Sequence, residues 1–272
     1  MKTSERKNSA IRIVPAHRIC TADPSANPRA EDVDVIIESP LIIDVEGIEQ
    51  YTILCTPIDK LAMAAGFLFS EGVIDGMGDI SLIEECQDDP NIIRVKLTSD
   101  VPRVMDPGRN LVILSSCGAC GTEEFRQKLA KLPKVGDKLR IKCTMLNSVL
   151  KQISKIQPLF QKCGGTHLVA ILNSSGDIIS YAEDVGRHNA LDKAIGKCLF
   201  EGLEFRGCWA MLSGRVSLEM VSKCARAGIE LISAISAPTS LAIETADHCG
   251  ITLCAFVRQT RATVFTHGIR II

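Results

Sequence analysis

At 272 residues and 46% hydrophobic content, the chain is long enough for about two domains and apolar enough to bury a sizeable core. A formal net charge of −1 without long single-sign blocks excludes a general field for nucleic acid, and the longest uncharged apolar run, Leu61 to Phe69, is far short of the ~20 residues that span a bilayer. Twelve irregularly spaced cysteines do not form a disulfide framework, and with the polar opening MKTSERKNSA they point to a reducing cytoplasm and no export.

Residues up to about Arg29 are polar and broken by Pro15, Pro24 and Pro28, which predicts an arm with one short strand at Ile11 to Val14. Alternation at Val33, Val35 and Ile37, then Leu41 to Val45 and Tyr51 to Leu54 around Gly47, predicts strands in a hairpin arrangement. Asp59 is placed to cap a helix with Leu61, Ala65 and Leu68 on one face, and Gly72 to end it. A second hairpin follows, Ile80 to Ile83 with Ile92 to Leu97 around DDPN. Residues 1–110 therefore read as a small N-terminal α+β domain.

The stretch 111–122, LVILSSCGACGT, predicts a buried strand that gives out into a loop presenting Cys117 and Cys120. Thr122 is a suitable N-cap for a helix with Phe125, Leu129 and Leu132 on its apolar side, and helix-start amides favour a nearby thiolate. A lone C-x-x-C fits half a zinc site, a redox pair, a sulfur carrier or two incidental core cysteines. Pro133 and Gly136 mark a connection, and Thr144 opens a helix with Met145, Val149, Ile153 and Ile156, which Pro158 stops. Beyond it, Leu168 to Leu172, Trp209 to Leu212, Leu231 to Ala234 and Ile251 to Phe256 alternate with helices near Asn189, Ser217 and Thr239, an α/β pattern over 111–272.

In α/β sheets ligands collect at the carboxyl ends of strands. Gly164-Gly165-Thr166-His167 offers backbone amides beside an imidazole, a phosphate cradle or a plain turn. Ser213-Gly214-Arg215 offers amides, a hydroxyl and a guanidinium suited to phosphate, or else a solvated arginine in an ordinary turn. The densest polar cluster, 183–189 with Arg187 and His188, runs on to Asp192 and Lys193; its bland alternative is a self-paired surface network. Ser236 to Ser240 reads as a helix start. No histidine has Glu two residues on and Ser116 precedes Cys117, so the zinc deaminase signature is absent and no metal site is expected. Cys198, Cys208, Cys224, Cys249 and Cys254 read as core thiols.

Taken together, SSCGACGT, GGTH, EDVGRHNALDK, SGRVSLEMVSK, SAPTSLAI and GITLCAFVRQTRATVFTH resemble the FdhD family of formate dehydrogenase accessory sulfurtransferases. The resemblance runs from Thr56-Pro57 and Gly66-Phe67 through His267. It implies a protein that takes sulfur from a cysteine desulfurase as a cysteine persulfide and delivers it to the molybdenum bis(molybdopterin guanine dinucleotide) cofactor of formate dehydrogenase. The persulfide cysteine then matches Cys117, with Cys120 assisting, and the guanine-dinucleotide segment matches Phe256, Val257, Arg258, Gln259, Thr260 and Arg261. It also implies a larger cytidine-deaminase-like C-terminal domain, a cytoplasmic location, no zinc, and a homodimer as one expected assembly. Two departures stand out: Cys163 where the family usually has Thr, and Ala182 where Arg is common. The alternatives to a sulfurtransferase are a thiol–disulfide reductase, which needs Cys120 as resolving partner, and a non-enzymatic cofactor-binding chaperone.

Overall fold

The computed structural model describes residues 10–23, 25–98 and 131–272. Cys117, Cys120, the strand expected before them and the helix expected after Thr122 lie outside the described residues. Among the described residues the fold is mixed α/β, with three sheets and six α-helices.

The first two strands, β1 (Ile11–Arg18) and β2 (Arg29–Ile36), form an antiparallel ribbon from Ile11↔Ile36 to Arg18↔Arg29. This corrects the expected arm with one short strand. Pro15 misled because it usually breaks strands, but a two-stranded ribbon is edge on both sides and tolerates a missing donor. A second sheet takes β3 (Ser39–Val45), β4 (Glu49–Cys55), β5 (Ile80–Glu85) and β6 (Ile92–Leu97) in the order β4-β3-β6-β5, with both expected hairpins present and β3 parallel to β6. Gly47, at φ +73°, makes the first of those turns in the left-handed region.

Helix α1 (Lys60–Ser70) was expected to bury one face; instead it is buried continuously from Ala62 to Phe69. Asp59 sits at its N-cap with φ 52° and no side-chain capping bond, because its carboxylate reaches Lys197 at 2.7 Å instead. Gly72 ends the helix region at φ +75°, as its position suggested.

The third sheet holds β7 (His167–Leu172), β8 (Ile178–Asp184), β9 (Trp209–Leu212), β10 (Leu231–Ala234), β11 (Thr252–Ala255) and β12 (Thr263–Thr266), ordered β12-β11-β10-β9-β7-β8. β9, β10 and β11 run parallel, while β7 runs antiparallel to β9 and β8. Alternate residues serve opposite faces: Val169, Ile171, Ala210, Leu212 and Ile232 join one core, and Leu168, Ala170, Trp209, Met211 and Leu231 the other. The second core is closed by α2 (Cys143–Ile153) through Leu146, Val149 and Ile153. Ile156 falls beyond α2, and Pro158 does not merely stop it: Pro158 opens α3 (Pro158–Cys163), where its missing N–H costs nothing.

On the other face lie α4 (Arg187–Phe200), α5 (Leu218–Ala227) and α6 (Ser240–Cys249). There α1 and α4 cross backbone to backbone. A methyl group at Gly66 would stand 1.8 Å from the Asp192 carbonyl oxygen, and one at Gly196 would stand 1.9 Å from that of Ala62. Because both crossing positions are glycine, one continuous core joins the four-stranded sheet to the six-stranded one.

Buried charges pin the same junction. Lys193 Nζ meets Asp184 Oδ2 at 2.6 Å, with both side chains fully buried, and also donates to the Thr56 carbonyl. Asp184 accepts in addition from the Thr56 and Gly186 amides and from Asn189. Next to Lys193, Asp192 is met by Lys223 at 2.8 Å, and Lys223 also reaches Glu71 at 3.2 Å. The bland alternative for 183–193, a surface network, is therefore replaced by a buried one that ties α4 to the β4–α1 connection.

Candidate functional site

The parallel run of β9, β10 and β11 brings the ends of three strands to one edge of the sheet, followed by the segments 213–217, 235–239 and 256–262. β7 runs the other way, so its first residue, His167, lies at that edge too, paired with Asp184 at the end of β8. Helices α4, α5 and α6 all begin here, with N-caps Gly186, Ser217 and Thr239, and their free first-turn amides make the edge electropositive. The Thr239 side chain accepts from the Ala242 amide at 3.2 Å, the helix start its sequence predicted. Backbone bonds tie the segments into one shelf: Val216 N to Ala237 O, Thr239 N to Val216 O and Phe256 N to Ser236 O.

Two of the expected side chains, His167 and Arg187, converge on Gly214. A methyl group there would stand 3.2 Å from His167 Nδ1 and 3.3 Å from Arg187 Cβ. Burial holds the His167 pKa below its ordinary 6.5, and the cations of Arg187 and Arg215 lower it further. His188 is half-buried beside them, 3.1 Å from Ser217 Oγ and 3.5 Å from Glu219. Burial first, then Arg187, Lys223 and His167, push its pKa down to about 3, so its ring is neutral near pH 7.

Other expected residues have structural work. Ser213 Oγ accepts from the Leu168 amide at 2.8 Å and so extends the β7–β9 ladder. Gly164 ends α3 at φ +66°, and a methyl group at Gly165 would stand 2.9 Å from Ile36 Cγ2, so this pair serves a helix stop and a packing contact. Glu183 accepts from the Leu159 and Phe160 amides at 2.9 Å each, holding the start of α3.

The segment 256–261 divides in the same way. Val257 is fully buried in the core against α2. Phe256 lies beyond β11, not within it; it takes φ 53°, unfavourable for a side-chain-bearing residue, and is 41% exposed, its ring tilted against that of Phe265. Arg258 donates to the carbonyls of Ile235 and Val257 and braces the shelf. Gln259, Thr260 and Arg261 are exposed and line a cleft of about 370 Å³ with Cys143, Thr144 and Asn147 from the start of α2. Sequence reading missed Cys143 and Asn147, since no spacing links them to residues more than a hundred positions later.

The thiols sort by burial. Cys55, Cys198, Cys249 and Cys254 are pushed up to about 11 by burial, and Cys208 and Cys224 also upward, which makes them inert core groups. Cys20 and Cys143 are exposed and Cys163 is partly so, its Sγ donating to the Leu159 carbonyl. Among the described residues no group of three or more His, Cys, Asp or Glu gathers as a metal site, and no helix is long and apolar enough to cross a membrane.

The model of the FdhD/NarQ family matches residues 36–272. The chain belongs to the FdhD/NarQ family. A relative named sulfur carrier protein FdhD from Saccharolobus solfataricus is 39% identical, covering 87% of this chain and 90% of its own, and one from Thermoplasma acidophilum is 36% identical over 88% and 86%. Another of that name, from Anaeromyxobacter dehalogenans, is 31% identical over 100% of this chain and 98% of its own. The fold is shared with a crystal structure from Desulfotalea psychrophila, described as a formate dehydrogenase accessory protein, at TM-score 0.78 and 25% identity over 97% of this chain and 100% of that one.

Proposed function

We propose that this FdhD/NarQ protein is a cytoplasmic sulfurtransferase: Cys117, assisted by Cys120, accepts sulfur from a cysteine desulfurase as a persulfide and delivers it to the molybdenum bis(molybdopterin guanine dinucleotide) cofactor used by formate dehydrogenase. The carrying observation is the family match over 36–272, with relatives named sulfur carrier proteins across nearly the full chain. In the first transfer the Cys117 thiolate attacks the terminal sulfur of the donor persulfide. The donor's sulfur–sulfur bond breaks as the Cys117 bond forms, a thiolate leaves, and no net oxidation occurs.

The anionic cofactor is the substrate, and the strand-end shelf supports the reading. Cationic and amide-rich groups gather there, and Arg187 Nε is buried without an acceptor among the described residues, as expected of a donor kept for a ligand. Arg261, Gln259 and Thr260 would meet a nucleotide from the cleft, and the exposed Phe256 ring offers a face to a base. Replacing Cys117 by Ala tests the assignment: a carrier keeps guanine-nucleotide binding and loses sulfur transfer, whereas a cofactor-binding chaperone loses little of either.

A further inference from the structure

At the edge of the six-stranded sheet opposite the shelf, β9, β10 and β11 begin, at Trp209, Leu231 and Thr252. A cleft of about 500 Å³ opens there between the segment 133–138, Arg206 and the end of α5. One buried group builds it. Glu230, fully buried just before β10, accepts from the Lys138 and Leu139 amides at 2.8 Å each and from the Gly207 amide at 3.0 Å. It thereby clamps the loop of Lys134 and Lys138 to the loop of Arg206. Arg270, also buried, stands 3.5 Å from Glu230 and donates to the Gly136 carbonyl, so the charge of the clamp is met inside the fold.

The other charges of the cleft sort into paired and free. Arg226 donates to the Phe69 and Ile74 carbonyls and pairs with Asp75, and Asp137 pairs with Arg140 at 3.0 Å. Lys134, Lys138 and Arg206 remain, all exposed, and none of their side chains forms an ion pair or hydrogen bond among the described residues. They are not needed to cap α5, whose last carbonyls are met by the backbone at Gly228 in the left-handed region. In a chain of net charge −1, three unopposed cations on clamped loops make a local positive rim.

We infer that this cleft is the docking surface for an acidic face of the protein that donates sulfur to the carrier. The inference rests on the carrier reading and adds the donor's place on the fold. A carrier meets a donor and a cofactor. The cofactor and the enzyme that receives it need the shelf, whereas the donor needs only Cys117. Docking at the opposite ends of the strands leaves the shelf open, and the segment 133–138 follows in the chain the one that bears Cys117. Cations held on a rim act mainly by steering an acidic partner and fixing its orientation, so their signature is an association rate that depends on salt.

The test is biolayer interferometry of the full chain against a purified cysteine desulfurase, without cysteine, over a series of salt concentrations, with sulfur loading of Cys117 measured alongside. Saturable binding is expected, with an association rate that falls as salt is added. The triple variant Lys134→Glu/Lys138→Glu/Arg206→Glu should slow association about tenfold or more and change dissociation little. Its melting temperature should match wild type, because the three side chains are exposed and make no bond in the fold. Lys162→Glu, exposed on α3, is the control and should bind as wild type. Absence of saturable binding, or an association rate unchanged in the triple variant, overturns the docking surface whether or not Cys117 loads sulfur. Saturable binding of a short single-stranded oligonucleotide that the triple variant loses assigns the cleft to nucleic acid and overturns it too. Desulfurase binding that the triple variant loses, with no sulfur reaching Cys117 in wild type, supports the surface and refutes the carrier reading instead.

Discussion

Asp184 and Lys193, nine positions apart and both fully buried, meet at 2.6 Å and together close on the backbone of Thr56. The pair fixes the start of α4, and with it Arg187 and His188, against the connection between β4 and α1. Removing one partner leaves a buried charge uncompensated, which costs about 3–5 kcal/mol. Asp184→Leu should therefore lose stability on that scale in urea unfolding, and the double variant Asp184→Leu/Lys193→Met should recover much of it. Equal stability of wild type and the single variant would show that the pair does not hold the junction.

The crossing of α1 and α4 makes a second stability prediction. Gly66→Ala or Gly196→Ala drives a methyl group into facing backbone, which cannot yield as a flexible side chain can. Each should lose about 1–3 kcal/mol or more. Gly78→Ala, with nothing within 4 Å of the added group, is the control and should be near neutral.

His188 ties stability to pH. Its folded pKa, about 3, lies well below its ordinary 6.5, chiefly through burial. Between those values the unfolded chain binds the extra proton, so the contribution is fully present above pH ~6.5 and is lost progressively as pH falls toward 3. Unfolding measured near pH 7 and near pH 5 should show a drop in wild type that is smaller in His188→Gln. An identical drop in both proteins would remove His188 as its source.

Arg258 and Arg261 should separate. Arg258 donates to two carbonyls of the shelf, so Arg258→Ala should lower stability by about 1–3 kcal/mol as well as weaken guanine-nucleotide binding. Arg261 is exposed at the cleft, and Arg261→Ala should leave stability alone while weakening binding about 10- to 150-fold. Thermal melts and nucleotide titrations on both variants decide it.

The strands at Leu168, Trp209 and Leu231 were legible because both faces are buried, which writes them as continuous apolar runs. β8 and β12 were not, because they are the sheet's edges and their polar residues resemble loops. Likewise His167, Arg187 and Gly214 each stood out within its own segment, but their meeting depends on β7 running antiparallel to β9, which no local pattern states. In the sequence Glu183 and Asp184 read as charges beside a helix start. Their work is to hold α3 and the α4 junction, a role only the packing reveals.

The most direct test of the carrier assignment is intact-mass analysis of the purified chain after incubation with a cysteine desulfurase and cysteine, followed by peptide mapping. The expected result is a gain of one or more sulfur atoms on Cys117, sensitive to reductant and absent from Cys117→Ala, while the buried Cys198, Cys224 and Cys254 stay unlabelled. Wild-type labelling in Cys117→Ala, or no labelling of the native chain, would contradict it.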